Sequence, residues 1–152
     1  MTAAAEPSMR HSLSFVTLAV RDVAASTAFY GMLGLQPNRR TGAQVAFFQL
    51  NGVVLALLGR DDLDRTVGGM GVPQAVLSHN VDRASDIGAL LSRVVAAGGT
   101  VRVPQGPTSW GGQRAWFADL DGHLWELVFN PSIHRDELGG VWLDGSEARA
   151  DV

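Results

Sequence analysis

The stretch Phe117–Pro131, FADLDGHLWELVFNP, places one carboxylate where a carboxylate is costly. Asp121-Gly122 between two apolar runs is a strong hairpin signal, so the chain turns there. The arm that follows, HLWELVF, reads as a strand with large apolar residues on both faces. Glu126 lies inside it. A carboxylate in such a segment binds a cation, handles a proton, or finds a polar partner, because burial without one of these is expensive.

Working outward, the same pattern occurs twice. A strand is expected at Leu13–Val20 and a helix at Val23–Leu33, closed by Gly34 in the usual position past a helix end. Extended segments follow at Gln44–Leu50 and Val53–Leu58, joined by Asn51-Gly52. A polar, Gly-rich stretch, Gly59–Gln74, reads as a linker. The order then repeats: a strand at Ala75–Val81, a helix at Ala84–Ala97, a strand at Thr100–Val103, and a hairpin of Arg114–Leu120 and His123–Phe129. In that second helix Ile87, Leu90, Leu91, Val94 and Val95 recur at helical spacing. VAFFQLNGVVLALL (Val45–Leu58) lies over RAWFADLDGHLWELV (Arg114–Val128), with Asn51-Gly52 matching Asp121-Gly122. The expected fold is therefore α+β, two paired βαβββ modules forming a curved mixed sheet around a central cavity. One unit alone leaves a sheet face uncovered, so two must pair. The boundaries are residues 1–12 as an N-terminal arm, 13–58 and 75–131 as the modules, 59–74 as the linker and 132–152 as a C-terminal tail.

Composition narrows the chemistry. With 46% hydrophobic and 18% charged residues in 152, the chain can bury an ordinary core. A formal charge of −3 gives no electrostatic case for nucleic acid or an anionic membrane. No apolar run reaches membrane-spanning length and the first residues lack a secretion-signal layout. A cytoplasmic location is the default expectation. There is no Cys, so disulfides and thiol nucleophiles are excluded. All twelve basic residues are Arg, so Schiff-base chemistry on lysine is excluded too.

VTLAVRDVAASTAFYGMLGL (Val16–Leu35) and FADLDGHLWEL (Phe117–Leu127), in this order, resemble the vicinal oxygen chelate superfamily, the glyoxalase / bleomycin-resistance / extradiol dioxygenase group. The turn departs from that family's usual Asp-Pro-Asp-Gly by carrying Leu120. The resemblance implies paired βαβββ modules and, in enzymatic members, a divalent metal held by four inward His, Gln or Glu residues. Carried over by position, those four sites fall at Phe15, Ala56, Val76 and Glu126. Three are hydrocarbon, and a lone carboxylate cannot supply the ligands a transition metal needs. The expectation is no metal and no cofactor. Strand alternation puts His79 and His123 opposite the Val76 and Glu126 face, where a satisfied structural histidine is the reading preferred over a ligand.

Alternation also gives the cavity lining: Phe15 and Thr17, Val54 and Ala56, Val76, Ser78 and Asn80, Leu124 and Glu126. The parity of Phe47, Phe48, Trp116 and Phe117 stays open. Trp110, in the loop GPTSWGGQ (Gly106–Gln113), is either a lid over the cavity or a ring packed on its own surface. Trp142 would tack the tail onto the body or onto a partner. Such a lining suits a small-molecule site. The first functional expectation is a metal-independent glyoxalase/bleomycin-resistance-like protein binding an apolar or aromatic small molecule. The alternative is a metal-independent isomerase, lyase or cyclase using Glu126 as general acid/base. A metal-dependent lyase or dioxygenase is opposed by the missing ligands. A homodimer is expected, because sheet edges and apolar surface need covering.

Overall fold

The computed structural model describes residues 13, 15–38, 41–67, 75–137 and 140–142. The order is β1 (Phe15–Val20), α1 (Val23–Met32), β2 (Val45–Gln49), β3 (Val54–Gly59), α2 (Arg60–Val67), β4 (Val76–Asn80), α3 (Ala84–Ala96), β5 (Thr100–Pro107), β6 (Gln113–Ala118), β7 (Leu124–Phe129), β8 (His134–Arg135) and β9 (Val141–Trp142). These form two separate mixed sheets, β1-β3-β2 and β4-β7-β6-β5, and a small β8-β9 hairpin. In each large sheet the first strand of the module runs parallel to its last, which it meets across the intervening helix.

Two departures from the sequence reading stand out. The stretch expected to be linker carries α2, whose first turn holds Asp61 and Asp62 at the positive end of the helix dipole. Its sequence, RDDLDRTV, is mostly charged, with Leu63 and Val67 as its only apolar residues at helical spacing, and the helix packs against β1 and β3. The first module also lacks one regular strand of its three. Only the bridge between Pro37 and Phe48 stands in its place, because Pro37 has no N–H with which to continue a ladder. Of the tail, β8 and β9 are described; the arm at residues 1–12 and the side chain of Trp142 lie outside the described residues.

One apolar cluster joins both modules. Leu18, Val20, Leu55, Leu57, Ala46 and Phe48 come from the first sheet, and Ala115, Phe117 and Leu127 from the second. Phe29 and Tyr30 of α1, with Ile87 and Val94 of α3, sit among them. All are the helix-facing residues of their strands. The helices are thus shared filling between two sheets, and the opposite sheet faces are left pointing outward.

The final hairpin seals this junction. Asp119 N–H donates to the His123 carbonyl at 3.0 Å and Gly122 N–H to the Asp119 carbonyl at 3.2 Å, leaving Leu120–Gly122 as the loop. Gly122 takes a φ of 89°, the left-handed conformation a three-residue hairpin loop requires. The Asp119 carboxylate, only 6% exposed, accepts from the Asp121 and His123 amides at 3.0 and 2.8 Å and from the Tyr30 hydroxyl at 2.7 Å. Tyr30 Oη in turn accepts from Trp125 Nε1 at 3.1 Å. Asp121 accepts from the Arg21 amide at 2.9 Å and from Ser26 Oγ at 3.2 Å, and pairs with the guanidinium groups of Arg21 and Arg60. The turn of the second module is held both by its own amides and by Arg21, Ser26 and Tyr30 of the first.

Burial, followed by the neighbouring Asp119 charge and its hydrogen bond, raises the Tyr30 phenol far above its ordinary value. Tyr30 is the only tyrosine, and the chain has no Lys or Cys. Its phenol is therefore the one side chain that titrates between the histidine range and the arginines. A group whose folded pKa is raised stabilises the fold fully below its unfolded value, and this contribution is lost as pH climbs above it. The denaturation midpoint should be flat to about pH 9.5. Above about pH 10 stability should fall with a limiting slope of about 1.4 kcal/mol per pH unit. Tyr30→Phe should abolish that slope and cost about 1–3 kcal/mol at neutral pH, by stripping a donor from buried Asp119.

Candidate binding face

Strand register decides which side chains meet. On the first sheet, Phe15 pairs with Val54, Thr17 with Ala56, and Ala56 with Phe47, so these share one face. Phe15 and Phe47 meet edge to face at 6.4 Å, while Phe48 is in the core. On the second sheet, Val76 pairs with Leu124, Ser78 with Glu126 and Asn80 with Val128. Across β7, Glu126 pairs with Trp116 and Val128 with Arg114. Ala115 and Phe117 point into the core instead, so the open parity of that strand resolves in favour of Arg114 and Trp116.

The two faces differ in exposure along their strands. Ala56 is buried at 3%, whereas Phe15 is 53% and Val76 50% exposed. Thr17 and Ser78 are exposed, and Val54, Asn80 and Leu124 are half-buried. The expected lining residues form two outward faces, one per module. The reason is the core just described, in which the helix-facing sides of both sheets converge and turn their other sides away.

Glu126 has found partners. Ser78 Oγ donates to its Oε2 at 2.9 Å, and Arg114 Nη1 stands 3.6 Å from its Oε1. The Glu126 side chain retains 16% of its exposure and Arg114 retains 49%. Arg114 also lies over the Trp116 ring, 5.7 Å from its centre. The acid is therefore neither isolated nor deeply desolvated. Asn80 Oδ1 is buried with no hydrogen-bond partner among the described residues.

The other aromatic and histidine readings resolve as geometry. Gly112 has no room for a side chain because the Trp110 ring lies against it: a Cβ there would fall 1.9 Å from Trp110 Cζ3. Trp110 rests on the backbone of its own loop, 44% exposed. His123 Nε2 donates to the Ala19 carbonyl at 2.8 Å, tying the hairpin to β1. His79 lines a helix-side cavity of about 90 Å³ with Tyr30, Leu90 and Trp125, away from Glu126. The positions that would carry a family metal hold Phe15, Ala56, Val76 and Glu126, whose oxygens already face Ser78 and Arg114. That donor set does not fit a divalent ion. Among the described residues no group of three or more His, Asp or Glu side chains is placed to hold one.

Two helix-backed modules with outward strand faces define an α+β protein of the paired-module type. The profile of the Glyoxalase/Bleomycin resistance protein/Dioxygenase superfamily matches residues 12–127, and the chain belongs to that family. A glyoxalase-related enzyme from Fulvimarina pelagi is 34% identical, with a TM-score of 0.83 over 88% of this chain and 99% of its own. A hypothetical protein from S. aureus is 25% identical, with a TM-score of 0.72 over 81% of this chain and 96% of its own. A family enzyme from Burkholderia phytofirmans shares the fold at 18% identity and a TM-score of 0.70, covering 78% of this chain and 98% of its own. No curated protein matches the chain.

Arg114 and Trp116 are the two residues of this face that pattern reading did not assign. The available signal was the loop length. A two-residue loop at Asp121-Gly122 would pair Phe117 with Glu126, whereas the three-residue loop pairs Trp116 with it. The Arg114–Glu126 pair is partly exposed, so Glu126→Gln should cost no more than about 1 kcal/mol in a denaturant titration. A loss of about 3 kcal/mol or more would mark Glu126 as half of a buried structural pair.

Proposed function

We propose that this is a metal-independent glyoxalase/bleomycin-resistance-like protein that binds an apolar or aromatic small molecule and acts as a homodimer in the cytoplasm. The observation that carries the reading is the pair of outward faces, apolar at Phe15, Phe47, Val54, Val76 and Leu124 with a small polar cluster at Ser78, Glu126 and Arg114. Apolar faces with a few placed polar groups are the makeup of small-molecule sites. A second copy presenting its other module would turn the two open faces into one enclosed cavity and cover exposed Phe15 and Val76. No helix is long and apolar enough to cross a membrane among the described residues.

A second reading is a metal-independent isomerase, lyase or cyclase with Glu126 as general acid/base. In its favour, Glu126 is the only carboxylate among the assigned lining residues, and a 34% identical relative is described as a glyoxalase-related enzyme. Against it, the contacts of Glu126 are those of a group that orients Arg114. A metal-dependent lyase or dioxygenase is opposed by the same donor set as before.

Three measurements on untagged protein separate these readings. Light scattering at micromolar concentration should give twice the chain mass; a monomer would remove the two-chain cavity. Elemental analysis after dialysis should find far less than one transition metal per chain, and one per chain would overturn metal independence. Native mass spectrometry should show a bound small molecule recovered with its mass unchanged. Turnover of that molecule, falling by roughly 10²–10⁴-fold in Glu126→Gln, would instead establish the enzyme.

A further inference from the structure

The guanidinium of Arg114 is held in place but only partly used. Glu126 sits on its Nη1 side at 3.6 Å, within ion-pair range and beyond a normal hydrogen bond. Its Cζ lies over the Trp116 ring, 5.7 Å from the centre. A guanidinium has five N–H donors, and the Nε–Nη2 edge is the one that matches a carboxylate side-on. With Nη1 turned to Glu126, that edge is left for another acceptor. Arg114 remains 49% exposed on the face assigned above to the ligand. Beside it, Trp116 pairs in register with Val103, which is 51% exposed, giving a flat apolar strip next to a fixed cation.

Glu126 does not defeat a second anion here. Ser78 already donates to its Oε2, Arg114 Nη1 is 3.6 Å from its Oε1, and its side chain keeps 16% exposure against 49% for Arg114. The arrangement pre-orients the fork, so little side-chain entropy is left to lose when an anion binds.

We infer that the ligand of this face is an aryl carboxylate, its carboxylate gripped side-on by Arg114 and its ring lying along Trp116 and Val103. This rests on the reading that the face binds a small molecule and names the class of that molecule. Arg114 is the specificity-determining residue, and Glu126 is a positioning residue for it.

The test compares naphthoate with naphthylmethanol, the neutral alcohol of the same ring, by isothermal titration calorimetry on the full chain at physiological ionic strength. The carboxylate should bind about 10–100-fold more tightly, the range for one charge-assisted bidentate contact. Arg114→Gln should bring the two probes to similar affinity. Arg114→Lys, which keeps the charge but loses the planar fork, should give an intermediate preference and serves if the Gln variant fails to fold by circular dichroism. Equal binding of both probes to the parent protein, or a preference that survives Arg114→Gln, would overturn the inference while leaving a small-molecule site in place. Binding of neither probe at millimolar concentration would overturn the site itself.

Discussion

Buried Asp119 is the constraint on which the junction of the two modules depends. A carboxylate at 6% exposure must be given donors or it destabilises the fold. It receives two amides from its own turn and the hydroxyl of Tyr30 from the other module. Tyr30 can make that bond only where α1 lies against β7, which is also where its ring meets Phe48 and Trp125. Asp121, two residues on, repeats the device by holding the first turn of α1 through Arg21 and Ser26. Satisfying these two acids therefore fixes the distance and rotation between modules, and the apolar core fills the space so defined.

That junction determines where binding can occur. Because α1 and α3 fill the space between the helix-facing sides of both sheets, the other sides cannot also converge within the same core. The paired-module fold is retained, but the residues expected around one cavity are divided between two faces. The exposure of Phe15 and Val76, equivalent positions of the two modules, is the direct result. A chain built this way has a packed interior and two outward strand faces.

The outward face of the second module has the character of an oriented cation more than of a reactive acid. Glu126 is held by Ser78 and faces Arg114, which is itself supported by Trp116. At the positions to which the resemblance assigns metal donors besides Glu126, the side chains are Phe15, Ala56 and Val76, and the polar interactions of the second face run along the sheet between neighbouring strands.

The sequence by itself determined the main strands and helices of each repeat, the internal repeat and the family, because these follow from local signals: apolar periodicity, Asn-Gly and Asp-Gly turns, and residue identity at matched positions. It also placed Ser78 and Glu126 on one face, since strand alternation needs only the strand itself. It did not show α2, an eight-residue helix that is mostly charged and has only Leu63 and Val67 at helical spacing, nor the missing strand near Pro37. The partners of Glu126 depended on whether the hairpin loop holds two residues or three, a difference of one position that moves Phe117 out of its face and Trp116 and Arg114 into it. Only tertiary structure decided that, because the loop is set by Asp119 satisfying its buried charge through Tyr30, a residue 89 positions away. The packing of α1 and α3 between the sheets decided which faces are left exposed: no periodicity along a single strand records which side of the neighbouring module it meets.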